Sequence, residues 1–153
     1  MTNNDILRRL RYILNFDDEK MVAVYQLAGQ QISVNQMQNW LKKDEDAGFI
    51  AMADEELAIF LNGLIIENRG KKDGPQPAPE KQLNYNILLR KLKIAFNLKD
   101  FDILEIMKLA DQEISKHELS AFFRKPGHKN FRFCNQQIFR KFLMGLQLKF
   151  SKS

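Results

Sequence analysis

Side chains able to bind a metal or attack a substrate are few in this sequence: one cysteine, Cys134, and two histidines, His117 and His128. Metal sites need several such ligands at short spacings, and neither an HExxH nor a CxxC pattern occurs. Glycine-rich phosphate cradles are also missing. A nucleophilic Cys134 with His128 as its base would need a spatial contact that the spacing does not indicate. The sequence therefore predicts no catalytic residue, metal site or cofactor, and a protein that is not an enzyme.

The acidic stretch DEDAGFIAMADE, residues 44–55, has some of the spacing of a calcium-binding EF-hand loop. Asp44, Asp46 and Glu55 fall at the first, third and twelfth positions of such a loop. However, Gly48 and Phe49 occupy the next two key positions, where an oxygen ligand and a glycine are required. We therefore expect a solvated acidic surface loop and no calcium site.

A basic stretch with interleaved aromatic residues, FRKPGHKNFRF at 123–133, has the chemistry of nucleic-acid binding. Its cations could contact phosphates, while Phe131, Phe133 or the histidine could stack on unpaired bases. The alternative is that Phe131 belongs to the core and that the cations form an ordinary solvated surface. The candidate binding residues are Arg124, Lys125, His128, Lys129 and Arg132.

The charges are divided unevenly along the chain. Residues 1–69 carry 7 Lys/Arg against 11 Asp/Glu, a net charge of −4, and residues 70–153 carry 17 against 8, a net charge of +9. A basic half of this kind can bind an acidic partner such as nucleic acid, or oppositely charged halves can attract each other within or between chains.

These candidate residues lie within a unit that the chain contains twice. A shift of 82 residues aligns 4–67 with 86–149 without a gap and gives 17 identities in 64 pairs, where chance would give about four. Between the copies lies GKKDGPQPAPEKQ, residues 70–82, whose prolines and glycines are typical of an extended linker. The predicted organisation is a first repeat at 1–69, a linker at 70–82 and a second repeat at 83–153.

Each copy has the pattern of about four helices and no strand, so the predicted fold is all-α, with two tandem, pseudo-symmetric repeats. Helices are expected at about 4–16, 18–28, from 33 and 54–68, with counterparts in the second copy. Ser33 and Ser115 begin capping-box patterns after a turn of about four residues. This arrangement resembles a helix-turn-helix, and the first copy presents polar side chains that could read base edges: Asn35, Gln36, Gln38, Asn39, Lys42 and Lys43.

The pentapeptides FLNGL at 60–64 and FLMGL at 142–146 contain glycine within predicted apolar helices. Glycine inside a helix costs about 1 kcal/mol relative to alanine, so a compensating gain is expected. We predict that Gly63 and Gly145 let another helix approach closely, with a pseudo-two-fold contact between the copies as one candidate arrangement.

The two-copy layout, GF at 48–49 followed by FLNGLIIENRG, and HKNFRFC at 128–134 followed by FRKFLMGL together resemble the YehS-like family of small bacterial proteins. The resemblance covers nearly the whole chain. It implies a bacterial tandem domain of unknown function, and it transfers no catalytic or binding residue.

The leading hypothesis is a non-enzymatic cytoplasmic protein that binds RNA or DNA through its basic second repeat. The cytoplasm is expected because no secretion signal or membrane-length apolar run is visible and a single cysteine forms no internal disulfide. The alternative is a protein-interaction or self-associating scaffold, such as a homodimer, in which oppositely charged lobes pair.

Overall fold

A computed structural model describes residues 1–151. This part of the chain forms eight helices and no strand, as two compact units, the first spanning Met1–Leu83 and the second beginning at Asn84. The all-α prediction with two tandem repeats is confirmed. The helices are α1 Asn3–Leu14, α2 Asp18–Leu27, α3 Val34–Leu41, α4 Asp54–Arg69, α5 Tyr85–Ala95, α6 Asp100–Leu109, α7 Lys116–Phe122 and α8 Gln136–Phe150.

The third helix of each unit begins directly after the serine that the sequence indicated, which is its N-cap. The Ser33 hydroxyl accepts a hydrogen bond from the Gln36 backbone N–H, and the Gln36 side chain accepts one from the Ser33 N–H. Ser115 and Glu118 form the same reciprocal pair. Because each capping box satisfies two N–H groups that lack partners inside the helix, it fixes where the helix starts.

The first two turns of each copy use the same left-handed backbone positions. Asn15 and Asn97 have φ values of 55° and 54°, and Gly29 and Asp111 have φ values of 94° and 57°. The first helix had been expected to reach residue 16, but it ends at Leu14 because the left-handed conformation of Asn15 stops the helix. The repeat is therefore preserved in the backbone even where Gly29 is replaced by Asp111.

Gly63 and Gly145 lie where the last helix of each unit crosses the second. A Cβ atom built on Gly63 would lie 2.9 Å from the carbonyl carbon of Val24 in α2, and one on Gly145 would lie 2.8 Å from that of Ile106 in α6. The close approach therefore joins α2 to α4 and α6 to α8. The approaching helix belongs to the same copy in each case and not to the other one.

The segment 70–82 is free of helix and largely exposed. Its end is held at the start of α4, where the Asp54 carboxylate accepts hydrogen bonds from the Leu83 backbone N–H at 2.8 Å and from Asn3 Nδ2 at 2.7 Å. The first compact unit therefore includes this segment.

Candidate nucleic-acid interface

A buried asparagine positions the basic stretch of the second unit. Asn86 in α5 is 3% exposed. Its Nδ2 donates to the carbonyl oxygens of Phe122 at 3.1 Å and Arg132 at 2.8 Å, and its Oδ1 accepts from the Cys134 N–H at 2.9 Å. We call residues 123–135, between α7 and α8, the basic loop. Because one amide satisfies three backbone groups from both ends of this loop, it fixes the loop against the helices.

The first unit contains the same anchor. Asn4 Nδ2 donates to the carbonyl oxygens of Trp40 and Ile50, both at 2.9 Å, and Asn4 Oδ1 accepts from the Met52 N–H at 2.9 Å. We call residues 42–53, between α3 and α4, the acidic loop. The two loops therefore share a backbone anchor although their side chains carry opposite charges.

His128 stabilises the tip of the basic loop. Its backbone N–H donates to the Lys125 carbonyl at 3.0 Å, its carbonyl accepts from the Phe131 N–H at 2.9 Å, and its ring Nδ1 accepts from the Asn130 N–H at 3.0 Å. With Nδ1 as an acceptor, the proton of a neutral ring lies on Nε2. The imidazole of His128, like its backbone, therefore helps to hold the tip of the loop together.

The four cationic candidates point outward. Arg124, Lys125, Lys129 and Arg132 are all exposed, and within residues 1–151 none of them forms an ion pair. Arg132 donates to the Phe131 carbonyl at 3.3 Å, which leaves most of its guanidinium donors available. These cations are consequently open to an anionic ligand.

Two of these cations meet residues of α7 in one open groove of about 750 Å³. Arg124 and Arg132 line it together with Lys116, His117 and the carboxylate of Glu118 from the start of α7. Lys125, His128 and Lys129 lie on the basic loop outside this groove. Lys116 and His117 were missed as candidates, although their position directly after the Ser115 cap of the helix-turn-helix-like segment was a signal for them.

The two aromatic rings of the basic loop differ in exposure. Phe131 is half-buried, whereas Phe133 is 72% exposed, and the two rings meet edge to face with centroids 4.9 Å apart. Phe131 therefore supports the loop, while the free face of Phe133 is open to a planar ligand such as a base.

Lys42 of the acidic loop and Arg8 of α1 both donate hydrogen bonds to the backbone of this loop. Lys42 Nζ donates to the Ala47 carbonyl at 3.1 Å, and Arg8 donates to the Lys42 carbonyl at 2.6 Å while pairing with the Asp5 carboxylate. Asp44 and its two acidic neighbours are exposed. This surface would repel phosphate.

The first copy's candidate base-reading side chains are also partly occupied. Gln36 closes the capping box with Ser33, and the Gln38 amide donates to the Asp18 carboxylate at 3.0 Å. Gln36 and Gln38 are therefore already engaged, whereas Asn35 and Lys43 are exposed.

Cys134 is a small buried side chain at the end of the basic loop. It is 4% exposed, and burial raises the pKa of its thiol to about 12. Thiol reactivity requires the thiolate, which this environment disfavours at neutral pH.

Within residues 1–151 no cluster of three or more His, Cys, Asp or Glu side chains is arranged to hold a metal ion. No helix in the described part of the chain combines the length and apolar character needed to cross a membrane.

Two four-helix copies with the same capped turns, the same buried asparagine and the same glycine crossing define a tandem all-α repeat protein. Residues 3–70 and 85–150 each match the family described as Protein of unknown function (DUF1456), and the chain belongs to that family. The chain is 44% identical over 147 residues to the "Uncharacterized protein YehS" of Escherichia coli (strain K12), a match that covers 95% of this chain and 94% of that protein. The resemblance seen in the sequence is thus confirmed. No solved structure matches the chain significantly.

Proposed function

We propose that the protein is a non-enzymatic bacterial cytoplasmic protein that binds nucleic acid through its second repeat. The observation that supports this function is the basic loop, which Asn86 anchors and which exposes four cations without ion pairs among residues 1–151. The loop at the same position in the first repeat carries exposed carboxylates. The proposed contacts are charge-assisted hydrogen bonds from Arg124, Lys125, Lys129 and Arg132 to phosphate oxygens.

The contribution of these phosphate contacts to the binding affinity depends on the salt concentration. Each phosphate neutralised on a single strand contributes about −0.7 to the slope of log K against log salt, and each one on duplex DNA about −0.9. Four contacts would therefore give a slope of about −3 to −4. Affinity of this kind falls steeply between low and physiological salt.

The test is a fluorescence-anisotropy titration with labelled RNA and DNA at several salt concentrations. The variant Arg124→Ala/Lys129→Ala/Arg132→Ala removes three charges from the basic loop. A matched variant, Lys71→Ala/Lys72→Ala/Lys81→Ala, removes three exposed charges from the segment between the repeats. We expect the first variant to lose most of the affinity and about 2 units of salt slope, and the second to bind almost as the wild type does. The absence of binding at low salt, or equal losses in both variants, would contradict the proposal.

The opposite charges of the two anchored loops favour a second candidate function, a self-associating scaffold. In this case the acidic loop of one chain, with Asp44, Glu45 and Asp46 exposed, would pair with the basic loop of another. Sedimentation velocity would then show a dimer or larger species that dissociates with added salt and that the basic-loop variant abolishes. A monomer at all salt concentrations would exclude this candidate.

A further inference from the structure

A second open groove of about 520 Å³ adjoins the first on the second repeat. Lys99, Phe101 and Leu104 line it, and so does Lys116, which also lines the groove of the basic loop. Because the Lys116 side chain borders both grooves, the two grooves are neighbours on the second repeat, with Arg124 and Arg132 lining one and Lys99 lining the other. We call this surface the two-groove track.

The second groove has a positive excess of its own. Its one carboxylate, Asp100, pairs with Lys93 Nζ at 2.7 Å, and this ammonium group also lies 4.4 Å from the ring centroid of Phe123. Lys99 and Lys116 are exposed and have no ion pair in the described chain. These two lysines therefore extend the line of available cations beyond the basic loop.

Two exposed aromatic rings accompany the track: one lines the second groove, and the other belongs to the basic loop, directly after a residue that lines the first groove. Phe133 follows Arg132 in the basic loop and is 72% exposed, and Phe101 in the second groove is 69% exposed. The first repeat has Ala51 and Glu19 at the equivalent positions. The aromatic rings thus occur in the same repeat as the available cations, although neither ring is needed to fill a core.

We propose that the ligand of the second repeat is a single strand of nucleic acid that runs along the two-groove track. This inference rests on the proposed function. Arg132, Arg124, Lys116 and Lys99 contact successive phosphates, and unpaired bases stack on Phe133 and Phe101. Cations that follow the backbone and aromatic rings that receive bases are the features by which proteins bind single strands. A duplex keeps its base faces stacked, so it could use the cations but could use the rings only by unstacking a base step.

The experiment compares fluorescein-labelled single strands of about 4 and about 12 nucleotides, as RNA and as DNA, with a duplex of about 12 base pairs; these lengths span known single-strand site sizes. We expect the longer strand to bind at least about tenfold more tightly than the shorter one and than the duplex. Comparing RNA with DNA identifies which sugar is preferred. Stacking of one base contributes about 1–3 kcal/mol, so Phe101→Ala and Phe133→Ala should each weaken binding of the longer strand about 5- to 150-fold.

For the longer strand, Lys99→Ala should reduce the magnitude of the slope of log K against log salt by about 0.7. For the shorter strand the reduction should be smaller. Leu148→Ala serves as the control for the aromatic variants because Leu148 is an exposed apolar residue that lines neither groove. Phe101→Leu retains apolar area but removes the π face, so it should lose affinity as Phe101→Ala does. Circular dichroism of each variant confirms that the fold is retained.

The outcomes separate the track from the proposed function. If the longer strand loses affinity only in the Arg124/Lys129/Arg132 variant and not in Phe101→Ala or Lys99→Ala, the track is wrong and nucleic-acid binding stands. Tighter binding of the duplex also overturns the single-strand inference alone. If no oligonucleotide binds at low salt, both proposals fail.

Discussion

Replacing Gly63 with alanine places a methyl group against the backbone of α2. The new Cβ would lie 2.9 Å from the Val24 carbonyl carbon, and the carbonyl oxygen would be closer still. Favourable contacts between carbon atoms begin at about 3.5 Å. Because the obstacle is backbone and not a flexible side chain, and its oxygen is the nearest atom, α2 and α4 must move apart by about an ångström for the methyl group to fit.

Two effects of opposite sign determine the result. Alanine improves helix propensity by about 1 kcal/mol, whereas overpacking costs about 1–3 kcal/mol, with backbone clashes at the upper end. We therefore expect a net loss of about 2 kcal/mol in the free energy of unfolding. For a unit of this size that loss lowers the melting temperature by about 8–16 °C. Gly145→Ala should be equally destabilising, since its Cβ would meet the Ile106 carbonyl.

Trp40 provides the readout for the first unit. It is the one tryptophan in the chain, and it packs against Tyr25 with ring centroids 5.5 Å apart, so its fluorescence in a urea titration follows unfolding of that unit. The control is Ala23→Gly at an exposed position of α2, which should cost about 1 kcal/mol through propensity alone. A gain in stability from Gly63→Ala would refute the close-crossing explanation, because propensity would then be the larger effect.

Three further predictions concern the anchor and the buried ionisable groups. Asn86→Ala should cost about 3 kcal/mol, because it leaves three backbone groups without partners, and hydrogen exchange should accelerate at Cys134; unchanged exchange would show that the loop is held by other contacts. Burial, followed by the charges of Glu56 and Glu55, raises the pKa of Tyr25 to about 12. The folded state thus favours the neutral phenol. The contribution of Tyr25 to the free energy of unfolding is fully present below pH 10 and should decline by roughly 3 kcal/mol as the pH rises to about 12. Urea unfolding against pH measures this loss, and Tyr25→Phe should remove it. Because burial raises the pKa of the Cys134 thiol to about 12, alkylation at about pH 8 should be slow in the native protein and fast in urea; rapid native alkylation would contradict the burial.

Local signals accounted for much of the fold. The capping boxes at Ser33 and Ser115 depend on residues three apart, so the sequence alone was enough to locate the helix starts. The predicted end of α1 was less accurate. The helical periodicity of the sequence continues past Leu14, and only the left-handed backbone of Asn15 shows where the helix stops. Gly63 indicated that another helix packs closely against its own. That this neighbour is α2 depends on the tertiary structure and could not be predicted from the local sequence.

The sequence indicated which residue types form the candidate binding site, but it indicated less well how these residues are arranged in space. The cations at 124–132 were visible as a charge cluster, whereas their grouping with Lys116 and His117 depends on how α7 packs beside the basic loop. The role of Asn86 has no local signature, since its partners lie 36–48 residues away. The identity of Asn4 and Asn86 between the copies was the one clue in the sequence.

The hydrogen bonds of Asn4 and Asn86 to their loops involve main-chain atoms and no loop side chain. An anchor of this kind tolerates almost any side chain that the loop presents, provided that the chain can follow the same path. After a duplication, one loop can therefore change its charge, gain an aromatic ring or lose a carboxylate while it keeps the hydrogen bonds that anchor its backbone. Because the asparagine bonds only to backbone atoms, the side chains of one loop can be replaced by those of the other. Exchanging residues 43–49 with 125–131 should therefore give a folded protein with the positions of its charges reversed.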